Sequence, residues 1–164
     1  PVLRRINDDP EIWASMWRRQ VRMGMFPYYM FVERDTGAHH YFKLPLVRAW
    51  EIYREAARQV SGLGRTVRGS VMSATPGKLL VVGVASVNQQ KALVLKMIQG
   101  RDPEWVNRVF LAAFDPWATW LDQFEPVLGD WDSPNGPSPP MSGEAVHFET
   151  SGSRFEKSDS TGVA

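Results

Sequence analysis

The first sixty residues alternate between two hydrophobic periods. Val2-Leu3 reads as the end of a strand. Asn7 or Asp8 is placed to cap a helix with Pro10 in its first turn, where a missing N–H costs little. Ile12 and Met16, and then Trp13, Trp17 and Val21, recur at helical spacing, and Gly24 stands where such a helix stops. Residues 26–32 form a nearly continuous apolar and aromatic run, the pattern of a strand buried on both faces. Asp35-Thr36-Gly37 reads as a turn. Pro45 opens a second helix that carries Leu46, Ala49, Trp50, Tyr53, Ala57 and Val60 and ends near Gly62. Strand, helix, strand, helix predicts a parallel α/β sheet with right-handed crossovers.

After Gly64 the pattern changes to short β segments at 66–72, 79–84, 92–98 and 109–114. Turn residues divide them: Pro76-Gly77, Gly83, Asn88 and Gly100-Arg101-Asp102-Pro103. A last short helix is predicted over 116–124, packing Trp117, Trp120 and Leu121. An α/β half followed by a β-rich half suits the last strand–helix units of a barrel plus a C-terminal extension. From Ser133 onward 15 of 32 residues are Ser, Gly or Pro, too few apolar groups to offset the entropy of ordering, so a disordered tail is expected. The chain thus divides at 1–64, 65–132 and 133–164.

Composition narrows the functional classes. A chain of 164 residues, 43% hydrophobic, is long enough for one domain with a sizeable core. Its formal net charge of +1 lacks the field of a general nucleic-acid binder. No run has the length of a membrane span and the N-terminus has no signal-peptide core, so a cytoplasmic location with no membrane partner is expected. Cysteine is absent, which leaves this chain no disulfide, thiolate zinc site, catalytic thiol or iron–sulfur ligand of its own. The start at Pro1, without Met and in mid-pattern, reads as a piece of something longer.

Several stretches hold candidate chemistry. His39-His40 fall in an expected loop with no carboxylate at ligand spacing, and no metal is expected there. Arg54 and Arg58 share a helical face that reads as solvated, whereas Arg65 and Arg68 flank a strand leading to a turn and are placed to meet a carboxylate or phosphate. In Met72-Ser73-Ala74-Thr75-Pro76-Gly77-Lys78 the small residues permit a sharp turn. Lys78 is then either an exposed residue of a type II turn or an amine delivered into a pocket for Schiff-base chemistry. Spacing alone leaves both open. At the end of the apolar run, Glu33, Arg34 and Asp35 either stand where an α/β barrel presents its strand ends to a substrate or form a polar loop with a local ion pair.

Ile6-Asn7-Asp8, Pro27-Tyr28-Tyr29 and the segment ending at Lys78 come in the order and spacing of lysine 2,3-aminomutase-like radical SAM proteins. Tyr28-Tyr29-Met30-Phe31-Val32-Glu33-Arg34-Asp35-Thr36-Gly37, and Arg65-Thr66-Val67-Arg68-Gly69 through Lys78, resemble a divergent subgroup of that family. The resemblance spans residues 2–132. It implies the C-terminal part of an incomplete (β/α) barrel whose N-terminal half, upstream of this chain, holds a 4Fe–4S cluster on Cys-x3-Cys-x2-Cys and binds S-adenosylmethionine. It also implies a small amino-acid substrate whose amino group migrates between C2 and C3 on pyridoxal phosphate, and a full-length protein that forms a homo-oligomer. Lys78 matches the lysine that anchors the cofactor, with Gly77, Ser73 and Arg68 around it, and Phe31, Arg34 and Asp35 fall at substrate-facing positions.

The departures from the family bear on the substrate. Lysine-acting members have a more glycine-rich loop preceded by Asp, where this chain has Ser73 and the single Gly77. A second Asp of those members falls on Arg34, or a one-residue shift puts Asp35 in its place. Two acids that hold a distal ammonium thus become Ser and Arg, and a lysine ammonium beside Arg34 would be repelled in a desolvated pocket. The substrate expected is therefore not lysine, and an acidic or neutral side chain such as glutamate's fits better. The family's C-terminal zinc-binding cysteines have no counterpart, so no zinc is expected. The alternatives are an inactive remnant or binding module that keeps the fold, and a pyridoxal phosphate protein that works without radicals. Alone, this chain is expected to be inactive.

Overall fold

The computed structural model describes residues 1–34, 36–75 and 77–127 and the backbone of 147–148. The expected disordered tail lies outside the described residues, apart from β6 (His147–Phe148), whose backbone pairs antiparallel with Ala85 and Ser86.

The first part alternates as the hydrophobic pattern predicts. Val2 pairs parallel with Val32, next to β1 (Tyr29–Phe31), and β1 pairs parallel with β2 (Arg68–Ala74). Helix α1 (Pro10–Arg22) makes the first connection and α3 (Leu46–Arg58) the second. From β2 onward the sheet is an antiparallel meander of β3 (Gly77–Val87), β4 (Gln90–Gly100) and β5 (Val109–Ala113). Strands β1 to β5 lie side by side in chain order, with β6 off this path against β3. Asn88 and Gln89, both at positive φ, close the two-residue turn between β3 and β4, the backbone that a tight hairpin requires.

The core fills the space between the helices and one sheet face. Trp13, Trp17, Leu46, Ala49 and Ile52 meet Met30, Met72, Leu79 and Leu95 there. Trp17 packs edge-on against Tyr53, ring centroids 6.1 Å apart. Of the two helical stripes predicted in α1, only Trp13 and Trp17 face this core, while Ile12 and Met16 are exposed. Among the described residues no helix is long and apolar enough to cross a membrane.

Several expected elements differ. The cap of α1 is Asp9, which accepts from Glu11 N at 2.9 Å. Asn7 instead pins the preceding turn, accepting from Leu3 N at 2.6 Å through Oδ1 and from Trp13 Nε1 at 2.7 Å through its carbonyl. The strand expected over 26–32 shrinks to β1 and is not buried on both faces: Met30 is buried, whereas Tyr29 and Phe31 on the other side are partly exposed, and Phe26 and Tyr28 ahead of the strand are exposed. Helices α1 and α3 cover the Met30 side, and the opposite side of the sheet also buries Val71 and Val94. His39-His40 begin a short helix, α2 (His39–Phe42), in place of a loop. The helix expected over 116–124 reduces to a single 3-10 turn at Leu121–Gln123. There Asp115 takes the N–H of Trp117 as a cap would, but Gln123 takes that of Thr119, a donor that a continuing helix would have used.

Candidate functional site

Strand alternation sends Met30 and Val32 into the core and turns Tyr29, Phe31 and Glu33 to the face away from the helices. Ser73 in β2 lies directly opposite Lys78 in β3, so both share that face with Phe31. The register between β1 and β2 slips at this point: Tyr29 pairs with Arg68 and Met30 with Ser70, leaving Gly69 as the extra residue. This bulge sets Arg68 beside Tyr29, although five residues separate it from Ser73 and simple alternation would place the two on opposite faces. A strand read from sequence alone gives no sign of it.

Phe31, Glu33, Arg34, Phe42, Ser73 and Lys78 line a cavity of about 700 Å³. The Lys78 ammonium lies 4.9 Å from the centre of the Tyr29 ring and 5.8 Å from that of Phe31. Tyr29 and Phe31 stack at 4.9 Å. Arg68 donates from Nη1 to the Tyr29 hydroxyl at 3.0 Å, and Arg34 donates from Nη2 to Ser73 Oγ at 3.2 Å. Gly77 precedes the lysine at φ +150°, and a Cβ there would run into the carbonyl of Gln99. The tight approach of β3 to β4 at this residue therefore requires glycine.

Of the residues expected to form a site, Lys78, Ser73, Phe31 and Arg34 meet in one cavity, Gly77 sets the strand that carries Lys78, and Arg68 joins through Tyr29. Asp35 lies outside the described residues. Arg65 is not part of the cluster, because its Nε donates to the Val60 carbonyl at 2.7 Å and ties down the end of α3. Arg54 and Arg58 both reach Glu55; Arg58 is exposed as expected, whereas Arg54 is partly buried, its guanidinium 4.9 Å from the centre of the Trp50 ring. Tyr29 was not singled out by sequence, although its i, i+2 relation to Phe31 carries the signal. Among the described residues no group of three or more His, Asp or Glu side chains is placed to hold a metal ion.

The chain is 26% identical over 133 residues to a protein of Aquifex aeolicus (strain VF5) named "Putative L-lysine 2,3-aminomutase". The match takes 81% of this chain and 34% of that protein, so the chain spans about a third of its relative's length. No family model and no solved structure matches the chain. A distant likeness to an aminomutase therefore stands beside the cavity geometry.

Proposed function

We propose that this chain is the C-terminal part of a radical SAM, pyridoxal phosphate-dependent amino-acid 2,3-aminomutase, an isomerase whose substrate is not lysine. The observation that carries this reading is the convergence of Lys78, Ser73, Phe31 and Arg34, four positions marked by the family resemblance, on one cavity. The distant aminomutase likeness supports it.

The residues present fit a carbonyl cofactor. Lys78 offers a primary amine on a cavity wall, and among the described residues no carboxylate is paired with it. About 700 Å³ lies within the range of small-molecule sites. Pyridoxal phosphate, when bound, supplies an electron sink next to the migrating amino group. Lys78 would hold it through Nζ, and the ring of Tyr29, 4.9 Å from that amine, would position it against the sheet. Arg68 and Ser73 are the nearby donors for its anionic groups. A chain without cysteine supplies no thiolate ligand to an iron–sulfur cluster.

Arg34 makes the site unsuited to a lysine side chain. Its guanidinium reaches Ser73 at the cavity wall, the place where a distal ammonium would otherwise meet acids. An acidic or neutral side chain avoids that repulsion. The test is isomerisation by the full-length protein, reconstituted with iron, sulfide, S-adenosylmethionine and pyridoxal phosphate and followed by NMR. A β-amino acid formed from glutamate or a neutral amino acid faster than from lysine is expected. Faster turnover of lysine, or no isomerisation of any of them, contradicts the proposal.

A further inference from the structure

We infer that a second cavity, on the opposite face of the sheet from Lys78, is a small-molecule site built for an α-amino acid with an aromatic side chain. The inference goes beyond the aminomutase reading and does not depend on it.

Leu79 follows Lys78 in β3, and strand alternation turns it to the helix side. With Met97, its partner in β4, it floors a cavity of about 830 Å³, within the range of small-molecule sites. Trp105, Phe110 and Trp120 form the walls. The backbone holds these walls in place. Gly100 lets the 101–105 turn fold against the strand end, where a Cβ would meet the Asp102 carbonyl at 2.8 Å. Val127 N donates to the Leu111 carbonyl at 2.8 Å and keeps the segment after Trp120 along β5. The Trp105 and Phe110 rings are tilted to each other with centroids 6.4 Å apart. A further aromatic ring is the complement that such walls favour.

The polar groups on the cavity define the rest of the ligand. Asp102 is committed to its own turn, accepting from Glu104 N at 2.9 Å. Arg101 and Asp122 also line the cavity, and among the described residues neither makes a hydrogen bond or an ion pair, including with each other. Both are exposed, so a ligand reaches them without opening the fold. The indole N–H groups of Trp105 and Trp120 likewise have no acceptor among the described residues. A carboxylate suits Arg101, which can bind it bidentately, and an ammonium suits Asp122. An α-amino acid carries both groups on the carbon that bears its side chain. A plain acid or a plain amine leaves one of the two charges unmatched.

Calorimetric titration of the full-length protein with phenylalanine, with 3-phenylpropanoate (no amine) and with 2-phenylethylamine (no carboxylate) tests this. Wild type is expected to bind phenylalanine about tenfold or more tightly than either analogue, the scale of one charge-assisted hydrogen bond. Arg101→Gln is expected to weaken phenylalanine and phenylpropanoate and to spare phenylethylamine. Asp122→Asn is expected to weaken phenylalanine and phenylethylamine and to spare phenylpropanoate. The same pattern is expected in a Lys78→Arg background, because the Lys78 cavity lies across the sheet. No binding of phenylalanine, equal affinity for all three ligands, equal weakening of all three by either variant, or a pattern lost with Lys78 overturns the inference. The expected pattern in a protein that forms no isomer would sink the aminomutase reading alone. Isomerisation without the pattern would sink this inference alone.

Discussion

The Lys78 ammonium and the Tyr29 ring stand 4.9 Å apart, contributed by strands that are not neighbours in the sheet. The same ring has the Arg68 guanidinium 5.5 Å from its centre. One aromatic side chain of β1 thus holds one cation from its parallel neighbour β2 and another from β3. Each such contact contributes about 0.5–2 kcal/mol, more as the site is desolvated.

Substituting Tyr29 separates its two roles. Tyr29→Phe keeps the ring and loses the Arg68 bond, at an expected cost of about 0.5–1.5 kcal/mol. Tyr29→Leu also releases Lys78, which should then react faster with an amine-directed reagent, as read by peptide mass mapping. Equal labelling of Lys78 in both variants would show that the ring does not restrain it.

Gly77 and Gly24 make a matched pair of tests. Both have positive φ, but a Cβ at Gly24 meets nothing within 4 Å, whereas at Gly77 it strikes the Gln99 carbonyl. Gly24→Ala should cost about 1–2 kcal/mol in left-handed strain. Gly77→Ala adds a backbone clash and should cost more than about 2 kcal/mol. Urea unfolding measures both, and equal losses would contradict the close approach seen at Gly77.

Burial raises the Tyr53 phenol above its ordinary range, and its hydroxyl donates to the Val67 carbonyl at 3.3 Å. The folded protein keeps this proton after the unfolded chain has begun to lose it near about pH 10. The stabilisation is therefore complete below that pH and declines as pH rises through the folded-state value. Tyr53→Phe should lose about 0.5–1.5 kcal/mol at neutral pH and show a shallower alkaline decline. A decline as steep as wild type's would assign it to other groups.

Trp17 and Trp117 differ in the same way that the two halves of the chain differ in legibility. Trp17 is buried between α1, α3 and the sheet, and Trp17→Ala should cost about 3–5 kcal/mol. Trp117 is 79% exposed, and Trp117→Ala should stay within about 0.5 kcal/mol of wild type by thermal melting.

Helix α1 was legible because Pro10, the Trp13–Trp17 spacing and Gly24 all point to one element. The segment around Trp117 and Trp120 misled, since its apolar residues sit at helical spacing while Gln123 captures the N–H of Thr119 that a helix would use. In the site, Lys78, Ser73, Phe31 and Arg34 were legible from motif order, and Gly77 from its place before the lysine. The Gly69 bulge, which brings Arg68 beside Tyr29, was not, because pairing register is a property of two strands and each alone is silent on it. Glu33 was in view only as one of three charges at a strand end. Its Oε2, buried and without a partner among the described residues, reflects packing that no strand pattern announces.

The central claim is that Lys78 anchors a carbonyl cofactor, and borohydride trapping tests it most directly. The full-length protein is incubated with pyridoxal phosphate, reduced, digested and mapped by mass spectrometry. One phosphopyridoxyl group on Lys78, absent in Lys78→Arg, is the predicted result. No adduct at Lys78, or labelling spread equally over Lys43, Lys91 and Lys96, would contradict it.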